Sequence, residues 1–283
     1  MKNLALLTLI LATSTGLAKD PGPRNPVDRY FGHIPENQAH VSWGGTTGER
    51  LPSEGLDVLV WNVKKGALPD FGAEFLKFGK DKELLLIQEA YTAPYFTTGL
   101  SWFQNYEWDM GMSFTYLMYN NEATGNMIGG DVKPEWLKIQ HTIDMEPLTN
   151  TPKSTVYAKY DVEGSESQLL VISVHGINFA DKDAFAHHLA QFRAEISAHT
   201  GPVLLAGDFN TRTKERYHEV QALASSLKLK EVKLLHGDLR MTAVGTKNFL
   251  DHAFVRGLTV RHAEVFASDG SDHQPMVLSL DFP

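Results

Sequence analysis

"LLAGDFNTRT", Leu204 to Thr213, closes an apolar run with a carboxylate and a carboxamide, and the fold turns on how it is read. Val203 to Ala206 has the short apolar pattern of a buried strand, and Gly207 punctuates it. Asp and Asn are ordinary turn formers, so a strand running into a capped turn accounts for the stretch by itself. A second reading is functional. Asp208 and Asn210 stand two apart, which on an extended segment directs both side chains to one side, where they can act on one small object. The rest of the chain decides between them.

Working outward, strand-like runs fall at residues 57–63, 83–89, 114–120, 155–162, 168–176, 202–209, 251–257 and 275–282. Helical patterns fall at 70–78, 183–199 and 214–227; in the second, Phe185, Leu189, Phe192 and Ile196 share one face and Asp181 or Asp183 can cap the start. Residues 19–55 are rich in Pro and Gly without periodicity and read as an irregular leader lying on a domain of residues 56–283. Strands and helices are mixed throughout, with no repeats. The expected class is therefore α+β, one domain of packed sheets with outer helices.

With 42% hydrophobic and 21% charged residues, the 283-residue chain can bury a large core and does not resemble a disordered protein. Lys2, the apolar stretch Leu4 to Ala12 and the small residues before Lys19 match a signal peptide over residues 1–18. The expected location is secreted or periplasmic. The stretch is too short for a permanent membrane span. There is no Cys, so neither a disulfide nor a thioether-linked lipid is available. The net charge of -8 argues mildly against sequence-independent binding to nucleic acid. It is uneven, however: residues 101–171 hold ten acids and four bases, residues 201–262 ten bases and six acids. A basic C-terminal half can face an anionic substrate, and a chance asymmetry of a solvated surface explains it as well.

The polar residues at strand ends form a pattern. Asn62 ends the first strand, Glu89 the second, His175 follows "LLVISV", Asp208 and Asn210 end "VLLAGDFN", and Asp272 and His273 precede "PMVLSL". Any one is unremarkable as a solvated strand end; five strands ending this way suggest groups gathered at one sheet edge. Glu, Asp and Asn oxygens are hard ligands of the kind Mg²⁺ prefers, with one or two carboxylates and substrate phosphate completing the shell. Zinc fits less well, because Cys is absent and the adjacent His187 and His188 point to different faces of a helix.

The ordered blocks "VWNVKKG" (60–66), "LLIQEA" (85–90), "SVHGINF" (173–179), "LLAGDFN" (204–210), "NFLDHAF" (248–254) and "SDHQPM" (271–276) resemble the endonuclease/exonuclease/phosphatase superfamily, which includes deoxyribonuclease I, apurinic endonucleases, sphingomyelinases and inositol polyphosphate phosphatases. The likeness spans Asp57 to Asp281 and is closer still to a bacterial subgroup, through "QEAYTAP", "TPKS" and "RGLTV".

The resemblance implies a four-layered α/β/β/α sandwich of two mixed sheets packed face to face with outer helices. It also implies roles. Glu89 would be the principal Mg²⁺ ligand (Mn²⁺ being an alternative), Asn62 would support the ion or a phosphate oxygen, and Asp272 would lie beside the metal. Asp208, held by Asn210, would orient or deprotonate the attacking water. His273, its ring fixed by Asp251, would stabilise the charge at phosphorus or assist the leaving oxygen, and His175 would contact the phosphate from the other side. Several nucleases of the family also place a Tyr and an Arg at the phosphate; Tyr116, Lys153 and Lys64 are the candidates to stand in for them here.

For substrate, "VKK" beside Asn62, Arg212 and the basic C-terminal half favour nucleic acid and hence a nuclease. The alternatives are a phospholipid headgroup and a small phosphorylated molecule. Tyr95, Phe96, Trp102, Phe103, Tyr106 and Trp108 can serve a membrane interface or base stacking, or be core. A catalytically dead scaffold is disfavoured because all the motif positions are filled. No protein partner is indicated, and a monomer is expected.

Overall fold

Runs of Val, Leu and Ile with no polar interruption mark strands covered on both faces, and they build the centre of the computed structural model, which describes residues 29–235 and 238–283. The signal-peptide segment, 1–18, lies outside the described residues, as do residues 19–28. The first sheet contains β1 (Phe31–His33), β2 (His40–Gly44), β3 (Leu56–Asn62), β4 (Leu84–Tyr91), β5 (Glu107–Tyr116), β6 (Glu122–Gly130), β13 (Thr259–Val265) and β14 (Met276–Asp281). Their order is β1-β5-β6-β4-β3-β14-β13, with β2 also on β5. The second contains β7 (Trp136–His141), β8 (Ser154–Tyr160), β9 (Leu169–His175), β10 (Val203–Asp208), β11 (Lys230–Glu231) and β12 (Asp251–Arg256), ordered β11-β12-β10-β9-β8-β7. Both are mixed: β3–β4 and β9–β10 are the parallel pairs in otherwise antiparallel sheets.

The alternation of side chains along each strand assigns the layers. Val58, Val60, Leu84 and Leu86 of the first sheet meet Val171, Leu204 and Ala206 of the second in the interlayer core. On the outer face of the first sheet, Leu59 and Trp61 pack with Phe71 and Phe75 of α1 (Phe71–Gly79) and Phe96 of α2 (Pro94–Leu100). On the outer face of the second, Leu170, Ile172 and Leu205 pack with Phe185, Phe192 and Ile196 of α3 (Lys182–Ala198) and Leu223 of α4 (Lys214–Ser226). Asp181 caps α3 by accepting from the Ala184 amide at 2.9 Å, and Thr213 caps α4 by accepting from the Arg216 amide at 3.3 Å. The expected α/β/β/α sandwich is the architecture found.

Two expectations are corrected. The leader is not irregular over residues 29–55: β1 and β2 pair with β5, and Ala39 and Leu51 are fully buried. The strand expected at 114–120 ends at Tyr116, because Asn120 and Asn121 adopt left-handed φ of 53° and 59° and turn the chain into β6. The glycines of β6 hid it, yet they are required: a Cβ on Gly129 would fall 2.1 Å from the ring of Trp108. Of the six aromatics weighed for an interface, Phe96, Phe103, Tyr106 and Trp108 are core, and Tyr95 and Trp102 are exposed.

His188 faces inward from α3 while His187 faces out to Asp144 at 2.9 Å. Its Nδ1 accepts from the Ile177 amide at 3.3 Å, so Nε2 carries the proton toward Thr155 Oγ1, also at 3.3 Å. Burial, and then the charges of Lys153 and Arg216, hold this imidazole down at about 3. An unfolded chain takes up that proton near pH 6.5, so folding stability contributed by neutral His188 is full above 6.5 and is lost as pH falls toward 3. We expect urea unfolding at pH 5 to show a loss relative to pH 7 of which up to about 2 kcal/mol belongs to His188. His188→Gln should flatten that dependence, and an unchanged pH slope in the variant would refute the assignment.

Candidate functional site

Strand register gathers the site. Asp208, last in β10, is the register partner of His175 at the end of β9 and of Asp251 at the start of β12. The second sheet thus lines up three titratable groups across neighbouring strands. From the first sheet come Asn62 at the end of β3, Glu89 near the end of β4, and His273 just before β14. Gly207 lets β10 lie against β9 immediately before Asp208: its φ is +141°, and a Cβ would meet the Val174 carbonyl oxygen at 2.1 Å.

The two rows touch. Asn62 Nδ2 donates to Asp208 Oδ2 at 3.1 Å, and the Asn210 amide donates to Asp208 Oδ1 at 2.8 Å. Asn210, at a left-handed φ of 52°, turns its own carboxamide away to donate to the Gly176 carbonyl at 2.9 Å. His273 Nδ1 lies 3.0 and 2.8 Å from the two oxygens of Asp251, which leaves Nε2 facing Asp208 Oδ2 at 3.8 Å. His175 Nε2 approaches the same oxygen at 3.7 Å. These six side chains are between 2 and 6% exposed, so they are shielded from bulk water.

Burial sets their protonation. Asp208 is raised to about 6 by burial and by the Asp251 charge, against the pull of His273. For His273, burial works downward, but the charge and hydrogen bond of Asp251, with Asp208 behind it, raise it to about 10, so it is an imidazolium at neutral pH. Burial and Lys153 hold His175 well below its ordinary value, and it stays neutral. A base near neutrality thus has a protonated acid and a neutral imidazole each within 4 Å of it.

Glu89 sits at a β-bulge between Ile87 and Ala90 with φ +54°, which aims its carboxylate inward. Its carboxylate accepts from Lys65 Nζ, which also meets the Tyr116 hydroxyl. Burial alone would raise Glu89, yet Lys65 and the neighbouring cationic groups hold it well below the usual carboxylate range. Lys153 stands close enough to act on both Glu89 and His175, and pairs with Glu146 at 3.4 Å. Asp272 is the expected residue that the structure leaves outside the cluster: it pairs with Lys64 at 2.8 Å, both side chains being about two-fifths exposed. Of the stand-ins for Tyr and Arg, Tyr116 and Lys153 are therefore beside Glu89, and Lys64 is not.

The oxygen donors fit a hard divalent ion. Asp208 and Asp251 place carboxylate oxygens within 4.8 Å of one another and of His273, whose imidazolium has no lone pair to offer a metal, and the Glu89 carboxylate is directed inward and already balanced by positive charge. Such an ion would be held by Glu89 with Asn62 or Asp208, and would polarise a phosphoryl oxygen.

Several supporting residues carry no strand-end signal in the sequence. Ser271 Oγ donates to the Asn62 carbonyl at 2.7 Å, and Trp61 Nε1 donates to the His273 carbonyl at 2.9 Å. Arg240 donates to the Asp251 carbonyl at 2.8 Å while lying 4.2 Å over the Phe249 ring. Lys65 was legible only as half of a basic "KK", and the Gly66 that follows is its one turn signal.

With this geometry in hand, comparison with known proteins is informative. The model of the Endonuclease/Exonuclease/phosphatase family matches residues 59–273. The chain belongs to that family. A UPF0294 protein of Vibrio cholerae is 31% identical over 258 residues, covering 90% of this chain and 89% of its own. Among solved structures, an endonuclease/exonuclease/phosphatase from Beutenbergia cavernae superposes with a TM-score of 0.64 at 16% identity, over 81% of this chain and 72% of that one. ANGEL2, a 2',3'-cyclic phosphatase, superposes with a TM-score of 0.62 at 13% identity, over 80% and 95%. At these identities the two structures establish the fold. Membership in the endonuclease/exonuclease/phosphatase family supports hydrolysis of phosphoric esters as the reaction class.

Asp208 yields a stability prediction. Because its folded value lies above the unfolded 3.8, the folded state keeps a proton that the unfolded state releases between pH 4 and 6. Stability therefore falls as pH rises through that window and stays lower above it. In EDTA at pH 8, Asp208→Asn should be more stable than the parent by about 2 kcal/mol in urea unfolding, while hydrolysis is lost. A less stable variant would mean that the His273 contact outweighs burial and Asp251.

Proposed function

We propose that the chain is a divalent-cation-dependent phosphodiesterase. Asp208 takes a proton from, or orients, the water that attacks phosphorus. Asn210 and Asn62 fix its two oxygens. The His273 imidazolium, aimed by Asp251, stabilises the developing phosphoryl charge or protonates the leaving oxygen. His175, neutral, offers a hydrogen bond from the opposite side. Magnesium is the proposed ion, with manganese as a substitute. The observation that carries this reading is the row His175, Asp208, Asp251 closed by Asn62 and His273 from the facing sheet.

Nucleic acid is the proposed substrate. At the catalytic end of the sandwich Arg212 stacks 4.6 Å over the exposed ring of Phe179, and Tyr95 in the first turn of α2 and Tyr119 on the β5–β6 turn are exposed. Such aromatic faces with a guanidinium suit bases and phosphates. A phospholipid headgroup is the second reading, and one observation favours it. Leu117 and Met118 on the β5–β6 hairpin, and Ile143 and Leu148 between β7 and β8, are exposed aliphatics on loops at that same end. The proposed setting is outside the cytoplasm, on the strength of residues 1–18; N-terminal sequencing of the exported chain should begin near Lys19.

Supercoiled plasmid and phosphatidylcholine/sphingomyelin vesicles, offered side by side with Mg²⁺, separate the readings. Plasmid nicking abolished by EDTA, and reduced about 10³-fold in His273→Ala, is the expected result. Headgroup release from vesicles with plasmid intact would retain the mechanism and replace the substrate. Hydrolysis undiminished in His273→Ala would overturn the site.

A further inference from the structure

The Lys65 ammonium is paired with the Glu89 carboxylate. Several features converge on that contact. Lys64 and Lys65 both hold left-handed φ, at 48° and 62°, and Gly66 follows at 62°. For a residue with a side chain that conformation is strained, and such outliers persist where the surroundings over-determine them. The Lys65 carbonyl is anchored by the Tyr95 hydroxyl at 2.9 Å, while its ammonium is shared between Glu89 and the Tyr116 hydroxyl. Glu89 reaches the contact through its own left-handed φ at the bulge. Two strained backbones thus meet in one ion pair, both side chains only about a quarter exposed.

We propose that Lys65 is a tethered counterion of Glu89, displaced when a divalent cation binds, so that this residue sets the metal affinity of the site. A carboxylate inside the cleft is costly without a positive partner, and the chain supplies its own. An ion arriving at Glu89 gains only the difference between its interaction and that of the ammonium. The released ammonium stays on the same short turn, beside the position of a substrate phosphate. Lys65 is on this view a positioning residue, and the inference rests on the reading of Glu89 as a metal ligand given above.

Calorimetric titration of the purified chain with Mg²⁺ and with Mn²⁺ tests it. Lys65→Met, which removes the charge and keeps the length, should bind the ion about tenfold more tightly than the parent. Tyr116→Phe, which removes a partner of the ammonium and leaves the Lys65–Glu89 contact, should tighten binding by a smaller factor and guards against misfolding of the first variant. In EDTA, Lys65→Met should melt below the parent and be restored by Mg²⁺ to at least the parent's melting temperature. Equal or weaker metal binding in both variants would overturn the inference, since Lys65 would then share Glu89 with the ion, and would leave the metal reading standing. If no variant and no parent bound either ion, both would fall.

Discussion

The His273 imidazolium, set between two buried carboxylates of the opposite sheet, is the interaction on which the site depends. Without it Asp208 and Asp251 would stand as like charges on neighbouring strands, away from water, where one of them would have to take up a proton. With it, the first sheet is tied to the second at the edge where their apolar contact runs out. The polar tie continues inward. Gln88 donates to Ser173 at 3.2 Å, and Asn126 donates to the carbonyls of Ser154 and Ser173 at 2.6 and 3.2 Å, all of these residues being fully buried. The interlayer is thus oily at one end and hydrogen-bonded at the other, and chemistry sits at the polar end.

That placement explains why backbone strain gathers here. Lys65, Glu89 and Asn210 all hold left-handed φ, and all lie at or near strand ends beside the cleft. Each directs a functional atom that an extended backbone would send elsewhere. The scaffold tolerates this because the rest of the molecule is regular: three separate apolar layers, one between the sheets and one under each helical face, offset the local cost.

Much of this was legible in the sequence, and the failures have physical causes. Strands β3, β4, β8, β9, β10, β12 and β14 are apolar runs bounded by turn residues, and their polar ends pointed to Asn62, Glu89, His175, Asp208, Asn210 and His273, while Asp251 was reached only through the family resemblance. Strand β6, "EATGNMIGG", carried no strand signal because its glycines are there for closeness to β5 and Trp108 rather than for propensity. Strands β1 and β2 are short edge strands whose pairing is decided by β5 and not by their own sequence. Asp272, which the resemblance puts beside a metal, points in a different direction from His273 because successive residues face different ways, and it pairs with Lys64 at the surface. The partner of Glu89 was hidden for the same reason in reverse: only a run of left-handed residues brings Lys65 inward, and periodicity does not encode that.

The position of β14 has a temporal consequence. This late strand, Met276–Asp281, lies between β3, an early one, and β13, so β3 stays an open edge of the first sheet until nearly all of the described chain is available. His273, at the entrance to β14, is delivered by the same closure. Assembly of the candidate site is therefore coupled to completion of the fold: contacts of long sequence separation form late and slowly, and a partly synthesised chain lacks the His273 that faces Asp208. Phosphoric ester hydrolysis is thereby withheld until β14 has docked.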